Sequence, residues 1–224
     1  MENFKSFYEL QEGVYDPNIF KAIFLAGGPG SGKSYVVKRT TGGMGFKIVN
    51  SDDIFEKMMK DAGMEMTPTN IYSDEGQGLR NKGKDITKRM QGNYLAGRLG
   101  VILDGTGKDY DKIADQANKL KQIGYDVSMI FVDTSLDTAL AQNRKRARTL
   151  PDETVEKMWN VVQGNRDRFA SYFGSGFIEV VNNMAGEDVF AKVWKKVKKM
   201  AGQKVTNSIA KTWIANELAK KKRS

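Results

Sequence analysis

The chain has 224 residues, 40% of them hydrophobic, and 36 Lys and Arg stand against 27 Asp and Glu for a net charge of +9, so one full core with appendages is the default organisation. Cysteine and histidine are both absent, which excludes disulfides, thiolate chemistry and Cys-ligated zinc and leaves any general base to Asp, Glu, Lys or Tyr. No apolar run approaches the roughly 18 residues of a membrane span, and residues 1–17 lack the apolar core of a secretion signal, so the expectation is a soluble protein of a reducing cytoplasm.

Residues 1–13 carry Phe4, Phe7, Tyr8 and Leu10 among polar neighbours, the pattern of a short amphipathic helix. Leu10-Gln11-Glu12-Gly13 also resembles the cut site read by the prohead proteases of tailed bacteriophages, so residues 1–17 are alternatively a capsid-targeting segment that would bring the protein into a virion. An apolar strand at 22–26 then runs into Gly27-Gly28-Pro29-Gly30-Ser31-Gly32-Lys33-Ser34, which fits G-x-x-x-x-G-K-[ST] without a mismatch, and Tyr35-Val36-Val37-Lys38-Arg39 continues as a helix. Strand, loop and helix in that order turn backbone N–H groups and a helix N-terminus toward phosphates. Gly28, Pro29, Gly30, Ser31, Gly32, Lys33, Ser34 and Tyr35 are therefore candidate nucleotide contacts, with Lys33 reaching the β and γ phosphates of ATP and Ser34 holding Mg²⁺.

A second strand at 46–50 ends in Ser51-Asp52-Asp53, acids that either cap the next helix or face the phosphate site across the carboxyl ends of the strands. Residues 61–81 lose periodicity and collect Gly63, Pro68, Gly76 and Gly78, the composition of a structureless binding loop, and a polar helix is expected over 81–99. Val101-Ile102-Leu103-Asp104 is the third strand, followed by Gly105-Thr106; Asp104 there is a candidate Mg²⁺ contact, with Asp53 and Thr106 as candidate acceptor contacts. Next come a helix with Ile113, Ala117 and Leu120, a fourth strand at 127–132, and a helix capped by Thr134 or Ser135. That helix runs into Arg144-Lys145-Arg146-Ala147-Arg148, four positive charges in five residues, either a solvated helix end or a lid over the transferring phosphoryl group. Pro151 opens a long helix, 177–182 is the fifth strand, and Asn182 at its end is placed at the adenine pocket. Two further helices follow. From residue 192 to 224 eleven Lys and Arg face the single acid Glu217, so this part carries +10 and the rest of the chain −1. Such a tail is either a solvated face or a contact for nucleic-acid phosphates.

Together the P-loop, the Asp52-Asp53 and Asp104 strand ends and the Arg-rich stretch before Pro151 resemble the P-loop kinases, the zeta-toxin-like kinases and the kinase domain of bacteriophage polynucleotide kinases above all, over about residues 20–185. The resemblance implies a three-layer αβα sandwich on a five-stranded parallel sheet, a kinase domain over 18–201 with an Arg-rich lid, and a basic helical tail over 202–224. It makes Asp52 the base that takes the hydroxyl proton and Arg146 the lid arginine, with Arg144 and Arg148 beside it on the nucleotide. Those families usually carry an acceptor-binding arginine three residues after the base; here that residue is Phe55. The implied activity is transfer of the ATP γ-phosphoryl to a polynucleotide 5′-hydroxyl, with a nucleotide sugar or a small nucleoside or nucleotide as alternative acceptors. A phage internal nucleic-acid-binding protein that holds ATP only as a ligand is the reading from another class.

Overall fold

The computed structural model describes residues 13–146, 149–183 and 186–222; the proposed N-terminal helix and capsid-targeting segment fall largely outside them, as does Arg148. Five strands, β1 (Lys21–Ala26), β2 (Lys47–Val49), β3 (Val101–Asp104), β4 (Asp126–Asp133) and β5 (Phe177–Val181), form one parallel sheet in the order β2-β3-β1-β4-β5. The central strands carry apolar runs, Ala22–Ala26 in β1, Val101–Leu103 in β3 and Met129–Val132 in β4, because helices cover both of their faces.

Strand alternation divides the core. Phe24, Leu103, Met129 and Phe131 point to one side, where Ala117 and Leu120 of α5 (Tyr110–Gln122) and Val162, Phe169 and Phe173 of α7 (Asp152–Phe173) meet them. Ile23, Leu25, Ile102, Ile130 and Val180 point to the other, against Val36 and Val37 of α1 (Lys33–Thr41) and Phe190, Val193 and Val197 of α8 (Glu187–Ala201). The result is the expected three-layer sandwich. Of the remaining helices, α6 (Leu136–Arg144) leads into the Arg-rich stretch and is capped by Ser135, whose side chain accepts from Thr138 N–H.

One expectation is overturned. Residues 61–81 are not a loop: α2 (Ser51–Asp61) is followed by a short turn, then α3 (Pro68–Tyr72) and α4 (Asp74–Ala96). Thr67 and Ser73 cap α3 and α4 with their side chains, and Pro68 sits in the first turn of α3, where its missing N–H costs nothing. Of the glycines that suggested a loop, Gly76 is a contact point, as is Gly83 further along α4, while a Cβ at Gly63 or Gly78 would meet nothing within 4 Å. A Cβ at Gly76 would lie 2.0 Å from the Asn70 carbonyl oxygen, and one at Gly83 would lie 3.5 Å from the Phe55 nitrogen. Phe55, Met59 and Ile71 form a separate small core there, joined by Met64, Met66 and Leu79. This α2–α4 unit stands beside the carboxyl end of β2.

At the opposite end of the sheet, α9 (Ser208–Lys221) packs on the residues that precede the strands: Trp213 meets Phe20 edge-on at 5.5 Å, and Ala210 is buried against Gly124. Among the described residues no helix is long and apolar enough to cross a membrane.

Candidate active site

The phosphate loop leaves β1 at its carboxyl end and closes at Lys33, the first residue of α1. Gly27 N–H donates to the Thr106 carbonyl (3.0 Å) and Gly105 N–H to that of Leu25 (3.1 Å), so the loop is laced to the segment after β3. Gly30 holds φ +74°, and a Cβ there would be 2.1 Å from the Ala139 carbonyl oxygen in α6; the loop passes directly against that helix. From behind, Asn182 Nδ2 donates to the Ser31 carbonyl at 2.8 Å. Asn182 is buried and supports the loop instead of opening toward a base, while Asn183 Oδ1 accepts from Ser135 N–H (2.6 Å) and the Thr134 hydroxyl (3.1 Å).

Lys33 Nζ turns back into the loop mouth and donates to the carbonyls of Gly27 (2.6 Å) and Gly28 (3.2 Å). Burial pulls its ammonium down to about 8; Asp104 opposes that, Arg146 adds to it, and Asp52 opposes it again. Each of those three charges thus acts on one ammonium. Ser31 Oγ is buried with no hydrogen-bond partner among the described residues. An inward-folded lysine, an orphaned hydroxyl and a glycine cradle fit a triphosphate, and exposed Ser34 with Asp104 fits its Mg²⁺. Tyr35, next in α1, is half exposed, stacks edge-on against Phe190 at 5.4 Å and lies under the Arg39 guanidinium.

The acids are organised by Asn50. Its Nδ2 donates to Asp53 Oδ1 and to Asp104 Oδ2, both at 2.9 Å, while its Oδ1 accepts from Asp52 N–H at 2.9 Å and so caps α2. Burial raises Asp104, with Lys33 pulling it down and Asp53 and Asp52 pushing it up; burial and Asp52 likewise raise Asp53. Asp52 lies on the α4 side of this cluster, with Arg80 Nη2 3.9 Å from its Oδ1. Arg80 also spreads over the Phe55 ring, 5.6 Å from its centroid.

On the lid side, Asn143 closes the 143–150 loop at its neck: its Nδ2 donates to the Leu150 carbonyl (2.8 Å) and its Oδ1 accepts from Leu150 N–H (3.1 Å). Arg144 is drawn outward into an ion pair with Asp152 at the start of α7, whereas Arg146 is the arginine whose charge reaches Lys33. Arg80, Asn50 and Asn143 did not stand out as functional residues in the sequence. Arg80 lay in the stretch read as a loop, and Asn50 and Asn143 are ordinary polar residues until their partners are known.

The family model of the AAA domain (AAA_33) matches residues 23–165, well over half of the chain and inclusive of the phosphate loop, Asp52, Asp104 and the lid. The chain belongs to this AAA domain family. Over 176 residues the AAA domain is 27% identical to the shikimate kinase of Persephonella marina, a match that spans 73% of this chain and 96% of that protein. Among solved structures it is similar to AvrRxo1-ORF1:-ORF2 with ATP (TM-score 0.54, 14% identity, 87% of this chain and 80% of that one). It is also similar to the shikimate kinase of Bacteroides thetaiotaomicron (TM-score 0.51, 13% identity, 81% and 98%). A third likeness is to the Pnkp1/Rnl/Hen1 RNA repair complex (TM-score 0.51, 20% identity, 68% of this chain, 47% of that one). These likenesses give the AAA domain the P-loop kinase fold and do not separate the zeta-toxin-like branch from the polynucleotide kinases.

Proposed function

We propose that this AAA domain is an ATP-dependent phosphotransferase that moves the γ-phosphoryl of ATP to a hydroxyl acceptor. The observation that carries the reading is the convergence of Lys33, Asp104, Asp52 and Arg146 on one crevice, drawn from the carboxyl ends of three adjacent strands and from the lid. Ser34 and Asp104 would hold Mg²⁺, which would supply charge neutralisation at the phosphates. The loop backbone and Lys33 hold the triphosphate, and Arg146 meets the charge that develops on the transferring group. Asp52 takes the proton of the acceptor hydroxyl as the new O–P bond forms and the bond from the γ-phosphorus to the bridging oxygen breaks, releasing ADP.

On the acceptor side, a half-buried guanidinium beside the base suits a small hydroxylated molecule with an anionic group, held by Arg80 while its hydroxyl faces Asp52. The near full-length match to a protein named shikimate kinase supports a small acceptor. The polynucleotide 5′-hydroxyl expected from the sequence drew on the basic tail, and that tail folds at the other end of the sheet.

Incubation of the protein with γ-labelled ATP and a panel of hydroxy acids, nucleosides, nucleotides, nucleotide sugars and 5′-hydroxyl DNA and RNA tests both parts. Label on a small hydroxy acid is the expected result. Label on a polynucleotide end overturns the acceptor class, and ATP binding without transfer to any member of the panel overturns the transferase.

A further inference from the structure

The chemistry proposed above leaves the charge of residues 192–224 unused. α8 starts beside the carboxyl end of β5 and descends along the sheet with Val193 and Val197 turned to the core, which leaves Lys192, Lys195, Lys196 and Lys199 in solvent. The chain then turns through exposed Lys204 into α9. Asn207 caps its first turn, Ala210 abuts Gly124, and the Trp213 ring lies between Phe20 and the Arg98 guanidinium, 5.9 Å from its centroid. Phe20, Gly124 and Arg98 lie one, two and three residues ahead of β1, β4 and β3, so α9 sits under the amino ends of the sheet, away from the phosphate loop. Lys211 and Lys222 are exposed there.

We propose that this foot of the domain is a sequence-independent docking surface for the phosphate backbone of nucleic acid, separate from the acceptor site. Within the segment a single acid, Glu217, stands against eleven Lys and Arg, and it pairs with Lys220. The positive charge is not accounted for by helix dipoles, which favour cations only in a last turn, whereas Lys192, Lys195 and Lys196 lie ahead of the last turn of α8. An anionic membrane is a poorer partner. Membrane-surface helices turn a broad apolar face outward, and α9 buries Ala210 and half-buries Trp213 and Ile214, leaving Ile209 as its exposed large apolar side chain. Base stacking is also disfavoured, because Trp194 lies under Lys198 and Trp213 under Arg98. What the surface offers is fixed positive charge, and the polyanion that presents phosphates at regular close spacing fits it.

The test is binding of a short labelled DNA duplex to the full chain across about 50 to 200 mM salt. Two variants accompany it, Lys195→Gln/Lys196→Gln/Lys199→Gln/Lys204→Gln and Lys211→Gln/Lys222→Gln, with vesicles of phosphatidylserine in phosphatidylcholine as the competing surface. Binding that weakens steeply with salt is expected, and each lysine that meets a phosphate lowers the slope of log K against log salt by about 0.9 when replaced. ATP turnover and the thermal midpoint of both variants should stay as in the parent. No duplex binding at the low-salt end, a slope unchanged in both variants, or stronger binding to the vesicles would each overturn the proposal. Lys33→Ala separates it from the catalytic reading: the proposal requires that variant to keep duplex binding, and loss of binding there would place the duplex at the phosphate loop. Failure of phosphoryl transfer in the parent protein, with the foot still binding duplex, counts against the transferase alone.

Discussion

Arg80 lies across the ring of Phe55, its guanidinium carbon 5.6 Å from the ring centroid, and reaches within 3.9 Å of the Asp52 carboxylate. In the kinases this chain resembles, the acceptor arginine comes from the same helix as the base, three residues on. Here that position is a buried phenylalanine, and an arginine reaches Asp52 from α4 with the ring as its support, the arginine that holds the acceptor in the proposed reaction. Arg80→Ala should therefore raise the acceptor KM by about 10- to 100-fold, the worth of a hydrogen bond to a charged group, with ATP affinity unchanged. Arg80→Lys should recover only part of this, since it keeps the charge and loses the planar fork. Steady-state kinetics with each substrate varied in turn decides the matter; a rise confined to the ATP KM would remove Arg80 from the acceptor side.

Asp52→Asn should leave nucleotide affinity near that of the parent and lower turnover by about 10² to 10⁴, the usual contribution of a positioned base. Titration with a fluorescent ATP analogue and a turnover assay on the same preparation check the two halves separately. Turnover that survives in Asp52→Asn but is lost in Asp53→Asn would transfer the role to Asp53.

Lys33 gives a pH signature. In the proposed role the ammonium binds the triphosphate, and burial holds its pKa at about 8. ATP affinity should be level below that pH and then fall by up to about tenfold per unit above it, with proton uptake on binding; calorimetry in two buffers of different ionisation enthalpy measures the uptake. Stability moves the other way. Between about 8 and 10.5 the unfolded chain holds more protons at Lys33 than the folded one, so the Lys33 contribution to unfolding free energy rises with pH across that window, and the cost of burying the charge is fully present below it.

Asp104 is held above the ordinary carboxylate value chiefly by burial. Its contribution to stability is present below the unfolded value of 3.8 and is lost as pH rises through the folded one, because burial disfavours the ionised form in the nucleotide-free protein. Asp104→Asn should raise the unfolding free energy at pH 7 by about 0.5 to 2 kcal/mol and weaken the Mg²⁺ dependence of ATP binding. Asn50 can still donate to the new amide oxygen. Thermal melts of both proteins should converge as the pH is lowered toward 3.8; a destabilised variant at pH 7 would make Asp104 a structural acceptor instead.

Gly30→Ala tests the close approach of the loop to α6. The substitution combines a φ of +74° with a Cβ 2.1 Å from the Ala139 carbonyl oxygen, a backbone atom with no cheap way to move. Gly43 has a φ of +75° and nothing within 4 Å, so Gly43→Ala isolates the backbone strain, about 1 to 2 kcal/mol. Gly30→Ala should cost more than that in chemical denaturation and should abolish ATP binding, which Gly43→Ala should leave alone.

Much of the donor half was legible in the chain. Glycine spacing with Lys33 and Ser34 forces the loop chemistry, and the apolar runs at 22–26, 101–103 and 127–132 are long enough to be strands and too evenly apolar to face water. Acids at 52 and 104 then had to sit at strand ends. These signals arise between residues within a few positions of one another, where covalent geometry alone sets what can meet. The 61–81 stretch misled because glycine has two uses, and Gly76 serves close packing, a use visible only once Asn70 is beside it. Strand order was likewise beyond local signals; by seating β3 between β2 and β1 it brings Asp104 to Asn50, 54 residues away, and both to the mouth of the phosphate loop. Packing also set Asn182 behind Ser31 across 151 residues, Arg80 over Phe55, and the lysines of α9 at the far end from Lys33. Sequence determined which chemistry the chain carries; tertiary packing decided which groups share a crevice, because those contacts depend on how whole helices bury their apolar faces against the sheet.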